Sequence, residues 1–303
     1  MTTHPSLAKG IGYGVAAGMC WGVIFLGPAL TPQLSGLEFA VLRFLAYGLF
    51  SLALLLPRWR KVRAQLTRAD WRALGWLSLV GTLIYYALVG SAVQRVGVAT
   101  TSLVVGLIPV LVALAGRGDA GAVPFARLLP SLACATAGVA LISLHAMHGA
   151  ALGSIVGLLC AFGALLTWSW YAVSNARRLA LTAVSAQDWA LLTGVVTGAL
   201  ALLLAVPVLG SHLASVDLHA VLVTAGVALL ASVIGGAFWN QASRLLPLAL
   251  SGQVLVIETL SALLLGFLWE QRWPDSQEVV AMVLLVVGVA WCLRSHQRHR
   301  LTP

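Results

Sequence analysis

Residues 235–260 read GGAFWNQASRLLPLALSGQVLVIETL, a long apolar run with a single carboxylate, Glu258. A charged side chain in hydrocarbon is costly, so by default it marks a binding site or a pathway. The run has a counterpart earlier in the chain, because residues 97–109 align with residues 247–259 at an offset of 150. This alignment places the uncharged Ile108 opposite Glu258. The stretch therefore indicates a duplicated helical frame in which one copy alone carries the charge.

The composition of the 303-residue chain is that of a membrane protein. Hydrophobic residues make up 60% and charged residues 9%, with a mean hydropathy of +0.96, whereas a soluble domain carries about a quarter charged residues. A helix that spans a bilayer needs about 20 apolar residues. Such tracts occur at 7–27, 36–56, 72–93, 97–116, 127–145, 151–172, 187–208, 218–241, 247–268 and 277–294. We therefore predict an all-α polytopic membrane protein with ten transmembrane helices.

The net charge of +9 is concentrated on one side of the predicted membrane. With the N-terminus inside, 15 of the 18 Lys and Arg residues fall in cytoplasmic segments. This bias predicts that both termini are cytoplasmic. The basic segment 58–72 is then expected to face anionic lipid headgroups, and we expect no nucleic-acid partner.

Helix starts also recur at the 150-residue offset. Good N-caps precede equivalent tracts of the two halves, namely Ser35 and Ser185, and Thr67 and Asp217. Residues 1–148 and 149–303 are therefore expected to be two five-helix repeats. Because five is odd, the second repeat must cross the membrane in the opposite sense to the first. Inverted repeats are typical of transporters, with the substrate site near the midplane between the halves.

The first tract carries Gly14, Gly18 and Gly22 at four-residue spacing. Small residues on one helix face let two backbones approach closely inside a membrane. We interpret this stripe as a packing surface rather than a contact with substrate.

Glu258 lies near the middle of the ninth tract, and Ser251 and Ser261 share its helical face. It could hold a substrate ammonium group or a proton, as intramembrane carboxylates often do. It could equally be a neutral acid that is hydrogen-bonded to a serine or a backbone carbonyl. The sequence leaves both interpretations open.

Arg43 lies in the outer part of the second tract, and its counterpart in the second half is the uncharged Thr193. The duplicated fold therefore does not require a cation at this position. Arg43 could anchor an anionic group such as a substrate carboxylate. We favour the alternative that it snorkels toward the outer headgroups, since long basic side chains near helix ends commonly do so.

Tryptophans near tract ends, among them Trp189, fit an interfacial belt. Deeper aromatic residues lie at Trp21, Tyr85, Tyr86, Trp168, Tyr171 and Trp239. Inverted symmetry would place Trp21 and Trp168 on opposite sides of the midplane, as two gates. Such rings offer stacking surfaces for a flat apolar or cationic solute. Ordinary packing of large side chains is the alternative for each of them.

Amides and a proline complete the polar positions of the tracts. Asn240 and Gln253 need partners in hydrocarbon, either on another helix or on a substrate, and we favour bonds between helices. Pro109 is expected to break the fourth helix at mid-membrane, where a broken helix can line a cavity.

Several of these features together resemble one transporter family. They are Trp21-Gly22 in the first tract, Arg43 in the second, Trp239-Asn240-Gln241-Ala242 closing the eighth, and the pair Pro109 and Glu258. Over essentially its whole length the chain resembles the EamA branch of the drug/metabolite transporter superfamily, and within it the YddG-like bacterial aromatic amino acid exporters. The resemblance implies a ten-helix inner-membrane carrier with a central cavity that exports amino acids or related metabolites. The family has Glu-Pro in the second repeat, whereas Glu258 is followed here by Thr259.

We therefore predict a monomeric secondary transporter in a bacterial inner membrane that works by alternating access. It is expected to export amphipathic metabolites, most narrowly aromatic and other neutral amino acids, without a cofactor or metal. A zwitterion needs a cationic contact, an anionic contact and an apolar wall. The expected substrate-binding residues are Trp21, Arg43, Tyr85, Tyr86, Trp168, Tyr171, Trp239, Asn240, Ser251, Gln253 and Glu258.

Other functions fit the sequence less well. A nucleotide-sugar carrier should need several intramembrane cations, and a small multidrug pump uses an acid in the first helix, where this chain has none. An intramembrane enzyme would need a buried Ser–His pair, two buried aspartates or a set of metal ligands. The histidines lie at loops or tract ends, and the four cysteines lack metal-ligand spacing, so we do not expect an enzyme.

Overall fold

The computed structural model describes residues 4–115, 124–147, 152–210, 216–246 and 254–301, and all regular structure in these ranges is helical. The α-helices are α1 (His4–Leu30), α2 (Gly36–Leu55), α3 (Trp59–Arg63), α4 (Arg68–Trp76), α5 (Tyr85–Val105), α6 (Ile108–Ala115), α7 (Phe125–Met147), α8 (Leu152–Leu179), α9 (Ala186–Leu209), α10 (Leu218–Val227), α11 (Gly236–Leu245), α12 (Val256–Glu270) and α13 (Ser276–Leu301). Two π-helical segments, π1 (Leu77–Ile84) and π2 (Ala228–Gly235), join α4 to α5 and α10 to α11.

Within the described ranges, six helical runs are long and apolar enough to cross a membrane. They are Ala8–Leu30, Gly36–Arg63, Arg68–Val112, Gly153–Leu179, Ala186–Leu209 and Leu218–Leu245. Shorter apolar helices occupy Ala126–Leu141 and Ser276–Gly288, and residues 247–253 of the ninth tract lie outside the description. The prediction of a helical membrane protein is confirmed, whereas the count of ten spans stays a prediction.

The predicted N-caps are confirmed in both halves of the chain. The hydroxyls of Ser35 and Thr67 accept bonds from backbone N–H groups three residues on, and Glu38 and Asp70 close both capping boxes. The Asp217 carboxylate accepts a bond of 2.7 Å from the backbone N–H of Ala220. The sequence predicts these caps correctly because each cap depends on residues only three positions apart.

The third and fourth tracts are two helices that meet at a kink within α5. Gly97 has a φ of +79°, a left-handed value that glycine adopts without strain, and the chain bends there. A second interruption at Gly106 and Leu107 separates α5 from α6, directly before Ile108 and Pro109. The expected helix break beside Pro109 is thus present.

The segments π1 and π2 were not predicted, although they occupy corresponding positions. Each contains eight residues, and their starts lie 151 residues apart. π-Helical turns are rare and occur frequently at functional sites. Both segments contribute residues to the cavity described below.

The packing of helices follows one pattern in both halves. α2 packs against α9, and α7 packs against α13. α1 packs against π2, α11 and α12, while α8 packs against π1, α5 and α6. When each element is replaced by its counterpart in the other half of the chain, such as α1 by α8 and π2 by π1, the same set of contacts results.

The glycine stripe of α1 packs closely against α12, as predicted. A Cβ atom added to Gly18 would lie 2.9 Å from the backbone nitrogen of Glu258. At Gly22 an added Cβ would lie 2.5 Å from the Cβ of Ser261 and 2.9 Å from the backbone nitrogen of Ala262. Such contacts with backbone cannot be relieved by a rotamer change, so the stripe fixes how near Glu258 comes to α1.

Replacing Gly22 by Val is therefore expected to lower stability by about 3 kcal/mol, through overpacking against α12. Gly12→Val is the matched control, because an added Cβ there meets nothing within 4 Å. The measurement is the thermal unfolding midpoint of each purified variant in detergent. Equal midpoints for the two variants would show that α1 and α12 do not touch at Gly22.

Candidate functional site

Three tryptophans from separate helices meet at the centre of the bundle. The ring centroids of Trp21 and Trp168 lie 5.5 Å apart, those of Trp21 and Trp239 5.4 Å apart, and those of Trp168 and Trp239 5.5 Å apart. These separations fall in the range of favourable aromatic pairs. The Trp21 indole also donates a bond of 2.8 Å to the carbonyl of Ala231 in π2. The three rings thus join α1, α8 and α11.

This arrangement corrects one sequence-based expectation. Trp21 and Trp168 were expected to be separate gates, yet their rings pack edge to face. Both side chains are buried, with exposed fractions of 5% and 3%. Both therefore lie on helix faces turned to the centre of the bundle, where two large rings placed on either side of the midplane come into contact.

The predicted tyrosines extend the cluster from these tryptophans. The rings of Tyr85 and Tyr86 lie 4.5 Å apart, and Tyr85 lies 6.2 Å from Trp168. The Tyr171 ring lies 5.7 Å from Trp168 on the same helix. All six predicted aromatic residues therefore belong to one contiguous cluster, which we call the aromatic cluster (Trp21, Tyr85, Tyr86, Trp168, Tyr171 and Trp239).

Arg43 points into the bundle, so the expectation that it snorkels to the headgroups is wrong. Its side chain is completely buried. Nη2 donates a bond of 2.9 Å to the hydroxyl of Ser232 in π2, and the guanidinium carbon lies 4.0 Å from the centroid of the Tyr86 ring. A cation over an aromatic face gains most where water is excluded. Ser232 and Tyr86 together hold the guanidinium inside the protein.

Glu258 lies in the first turn of α12 and is 4% exposed. The positive end of a helix dipole favours a negative charge at such a position. The backbone nitrogen of Glu258 packs against Gly18 of α1, three residues before Trp21. Among the described residues, no direct ion pair joins Glu258 to Arg43. The buried carboxylate and the buried cation are therefore not neutralised by contact with each other.

Four buried polar atoms around the aromatic cluster have no hydrogen-bond partner. They are Nε and Nη1 of Arg43, the hydroxyl of Tyr85 and Nε1 of Trp239. Buried polar groups in native proteins are nearly always hydrogen-bonded, so each exception calls for an explanation. All four can act as donors, which makes the region suited to a ligand that brings acceptor oxygens.

A small cavity lies against the aromatic cluster. Its lining consists of Trp21, Tyr47, Gly81, Thr82, Tyr86, Trp168, Tyr171, Thr193, Ala231, Ser232 and Gly236. The cavity volume is about 40 Å³, which is room for roughly two or three waters. Arg43 reaches its edge through Ser232 and Tyr86. Ligand sites usually measure about 300–1,000 Å³, so an amino acid fits only if the cluster opens.

Some lining residues were missed although the sequence held a signal for them. Tyr47 lies four residues after Arg43 and hence on the same helix face, and its hydroxyl donates a bond of 2.8 Å to the carbonyl of Ala190. Thr82 and Ser232 are polar residues at the same 150-residue offset as the other repeated features.

Asn240 lies outside this cavity and bonds between helices. The side-chain carbonyl of Asn240 accepts a bond of 3.0 Å from the side-chain amide of Asn175. The side-chain carbonyl of Asn175 in turn accepts a bond of 2.9 Å from the indole of Trp189. The Asn240 amide also donates to the carbonyl of Ala186 at 3.4 Å. Trp189 is completely buried and so does not belong to the interfacial belt to which the sequence assigned it.

The two remaining predicted site residues, Ser251 and Gln253, lie outside the described residues. In the parts of the chain that are described, the structure brings Arg43 together with the aromatic cluster, whereas Glu258 is buried against α1 and does not line the cavity. The hydroxyl-bearing residues Tyr47, Thr82 and Ser232 join Arg43 and the aromatic cluster.

Known proteins resemble this chain in both sequence and fold. The EamA-like transporter family matches residues 8–144. The inner membrane protein YtfF of Escherichia coli (strain K12) is 30% identical over 323 residues, covering 98% of each chain. A crystal structure with 21% identity superposes with a TM-score of 0.68 over 96% of this chain and 99% of the other. At that identity the superposition supports the fold alone.

Proposed function

The chain belongs to the EamA-like transporter family of the drug/metabolite transporter superfamily, and from this premise we propose that it exports neutral amino acids, aromatic ones included. It is a secondary transporter that works by alternating access in a bacterial inner membrane, as a monomer with both termini in the cytoplasm. The family assignment supports transport of a small molecule across a membrane. The choice of amino acids rests on the site.

The proposed architecture is ten transmembrane helices in two inverted five-helix repeats, residues 1–148 and 149–303. The matched positions of π1 and π2 support it. So does the pattern of helix contacts, which is unchanged when the halves are exchanged. The substrate then binds where the two repeats meet, as in other transporters with inverted repeats.

The observation that carries the proposed substrate is the buried guanidinium of Arg43, with two nitrogens that lack partners. A substrate carboxylate can accept a charge-assisted bond from either of these nitrogens. Glu258 is buried against α1 beside Gly18, three residues before Trp21, and it supplies the opposite charge for a substrate ammonium. The aromatic cluster supplies an apolar wall for the amino acid side chain. A neutral zwitterion matches all three.

Binding and export require the aromatic cluster to separate. The present cavity of about 40 Å³ is closed to an amino acid. Trp21 contacts Trp168 and Trp239 and is bonded to Ala231, so moving α1 away from α8 and α11 would open the cavity. Closure around the solute on one side and release on the other is the proposed transport cycle.

Substrate analogues test which charge contacts which group. In proteoliposomes with labelled phenylalanine, N-acetylphenylalanine lacks the ammonium and should compete roughly 10- to 100-fold more weakly than phenylalanine, since a bond to a charged group contributes about 1.5–3 kcal/mol. In Glu258→Gln this preference should disappear. Glu270→Gln makes the same chemical change at the exposed end of α12 and should keep it.

Two outcomes would overturn this account at different levels. If the Glu258→Gln variant still prefers phenylalanine to N-acetylphenylalanine, the substrate ammonium does not contact Glu258. If the flux of labelled amino acids does not saturate, or does not exceed that of empty vesicles, amino acids are not the substrate.

A lipophilic-cation carrier is the second candidate. The three contacting tryptophans and the buried Glu258 would suit a planar cation. A nucleotide-sugar carrier has less support, because Arg43 is the one Lys or Arg with a fully buried side chain among the described residues. Saturable uptake of labelled tetraphenylphosphonium, without amino acid flux, would favour the cation carrier.

A further inference from the structure

A groove that shares no lining residue with the central cavity lies on the surface of the bundle between α4 and α8. Its volume is about 410 Å³, within the usual range for ligand sites. Its lining consists of Ala69, Arg72, Ala73, Trp76, Leu77, Trp170, Ser174, Arg177, Arg178 and Leu181. The groove has a basic end and an apolar end, and nothing in the proposed transport cycle uses it.

The basic end carries one exposed cation, Arg72, without an ion pair to the described residues. Three arginines and no carboxylate line the groove. Arg178 is bound to the buried Asp70, with a distance of 2.6 Å from its Nη2 to Oδ1. An anion at this end would therefore meet the uncompensated positive charge of Arg72.

The apolar end is built from side chains that face lipid. Trp76 is 58% exposed and Trp170 is 41% exposed. The groove lies where the apolar runs Arg68–Val112 and Gly153–Leu179 approach their basic ends. Tryptophans and arginines meet in this way at the level of lipid headgroups. The two ends of the groove thus match the two ends of a lipid molecule.

A second surface groove shows that this combination is not general. It lies between α12 and α13, measures about 540 Å³, and has Arg272 as its lining cation. Arg272 is bound by Glu278 at 2.6 Å and by Glu270 at 2.5 Å. Hydrogen bonds to Glu278 and Glu270 raise the pKa of Arg272, so its charge is both fixed and neutralised. That groove offers no free cation to an anionic headgroup.

We propose that the groove between α4 and α8 binds one anionic phospholipid. The phosphate lies between Arg72 and Arg177, and an acyl chain runs along Trp76 and Trp170. Basic pockets between transmembrane helices recognise anionic headgroups in this way. The bound lipid would tie the third predicted span to the sixth, beside the ion pair of Asp70 with Arg178.

The test compares two lipids on delipidated protein in detergent. Binding of dioleoyl phosphatidylglycerol and dioleoyl phosphatidylcholine is measured by native mass spectrometry. The wild-type protein is expected to bind phosphatidylglycerol about fivefold more tightly, because attraction to one basic residue near the membrane surface contributes about 1 kcal/mol and Arg72 supplies that charge. The double variant Arg72→Gln/Arg177→Gln should bind both lipids equally. Arg60→Gln/Arg63→Gln removes the same charge from the neighbouring basic segment and should keep the preference.

Fluorescence locates the lipid independently of the arginine variants. Phosphatidylglycerol with brominated acyl chains should quench tryptophan emission, and less so in Trp76→Phe/Trp170→Phe. An unchanged preference in Arg72→Gln/Arg177→Gln, an equal loss in the control variant, or unchanged quenching in the tryptophan variant would each overturn the proposal. None of these outcomes bears on amino acid export.

Discussion

Replacing Arg43 by Gln is expected to reduce the flux of labelled phenylalanine in proteoliposomes by at least about 30-fold, because truncating one partner of a buried charge pair, here Arg43 with the substrate carboxylate, costs about 2–5 kcal/mol. The substituted amide retains a donor for Ser232 and loses both the cation over Tyr86 and the fork for a carboxylate. Arg43→Lys keeps the charge without the planar fork. It should recover part of the flux.

The control for Arg43 is Arg95→Gln. Arg95 is exposed, and its guanidinium donates to the carbonyl of Ser91 within the same helix. Its flux should equal that of the wild-type protein, and the thermal unfolding midpoint of each variant shows whether it is folded. Wild-type flux in a folded Arg43→Gln variant would mean that the substrate never contacts this residue.

Replacing Asp70 by Ala is expected to destabilise the protein by about 3–5 kcal/mol, the range for breaking a buried ion pair from one side. Asp70 is 1% exposed, and its Oδ1 accepts bonds of 2.8 and 2.6 Å from Arg178. Its Oδ2 accepts bonds of 2.8 and 2.6 Å from the backbone N–H and the hydroxyl of Thr67. One carboxylate therefore caps α4 and fastens it to α8.

The measurement is the unfolding midpoint in detergent, which should fall by roughly 5–10 °C. Glu270→Ala is the matched control, since the ion pair of Glu270 with Arg272 is formed by side chains that are 28% and 39% exposed. Exposed ion pairs contribute about 0–1 kcal/mol. If both variants lose the same stability, Asp70 does not link the two halves in the way the structure indicates.

The features that sequence analysis predicted correctly are those encoded over short distances. Hydropathy located the apolar runs, and the caps at Ser35, Thr67 and Asp217 follow from residues three positions apart. The glycine stripe was also interpreted correctly, because close approach is the one common role for small residues at that spacing. The family resemblance, too, was confirmed by the comparison with known proteins.

The features it missed depend on partners far away in the chain. The inward direction of Arg43 is set by Ser232, which lies 189 residues later. The contact of Trp21 with Trp168 depends on where α1 and α8 meet, which periodicity does not specify. The segments π1 and π2 carry no local sequence signal comparable to a cap. Tertiary contacts therefore decided the orientation of the side chains that form the site.

The central claim is a solute site that opens alternately to the two sides of the membrane, and Thr82→Cys tests it most directly. Thr82 lines the cavity, and its hydroxyl bonds only to the carbonyl of Leu77 in its own segment. The native cysteines, Cys20, Cys134, Cys160 and Cys292, are first replaced by Ala. A membrane-impermeant thiol reagent is then applied from each side of oriented vesicles. The account predicts labelling from both sides, slowed about tenfold by phenylalanine at ten times its Kd; labelling from one side only, without protection by phenylalanine, would contradict it.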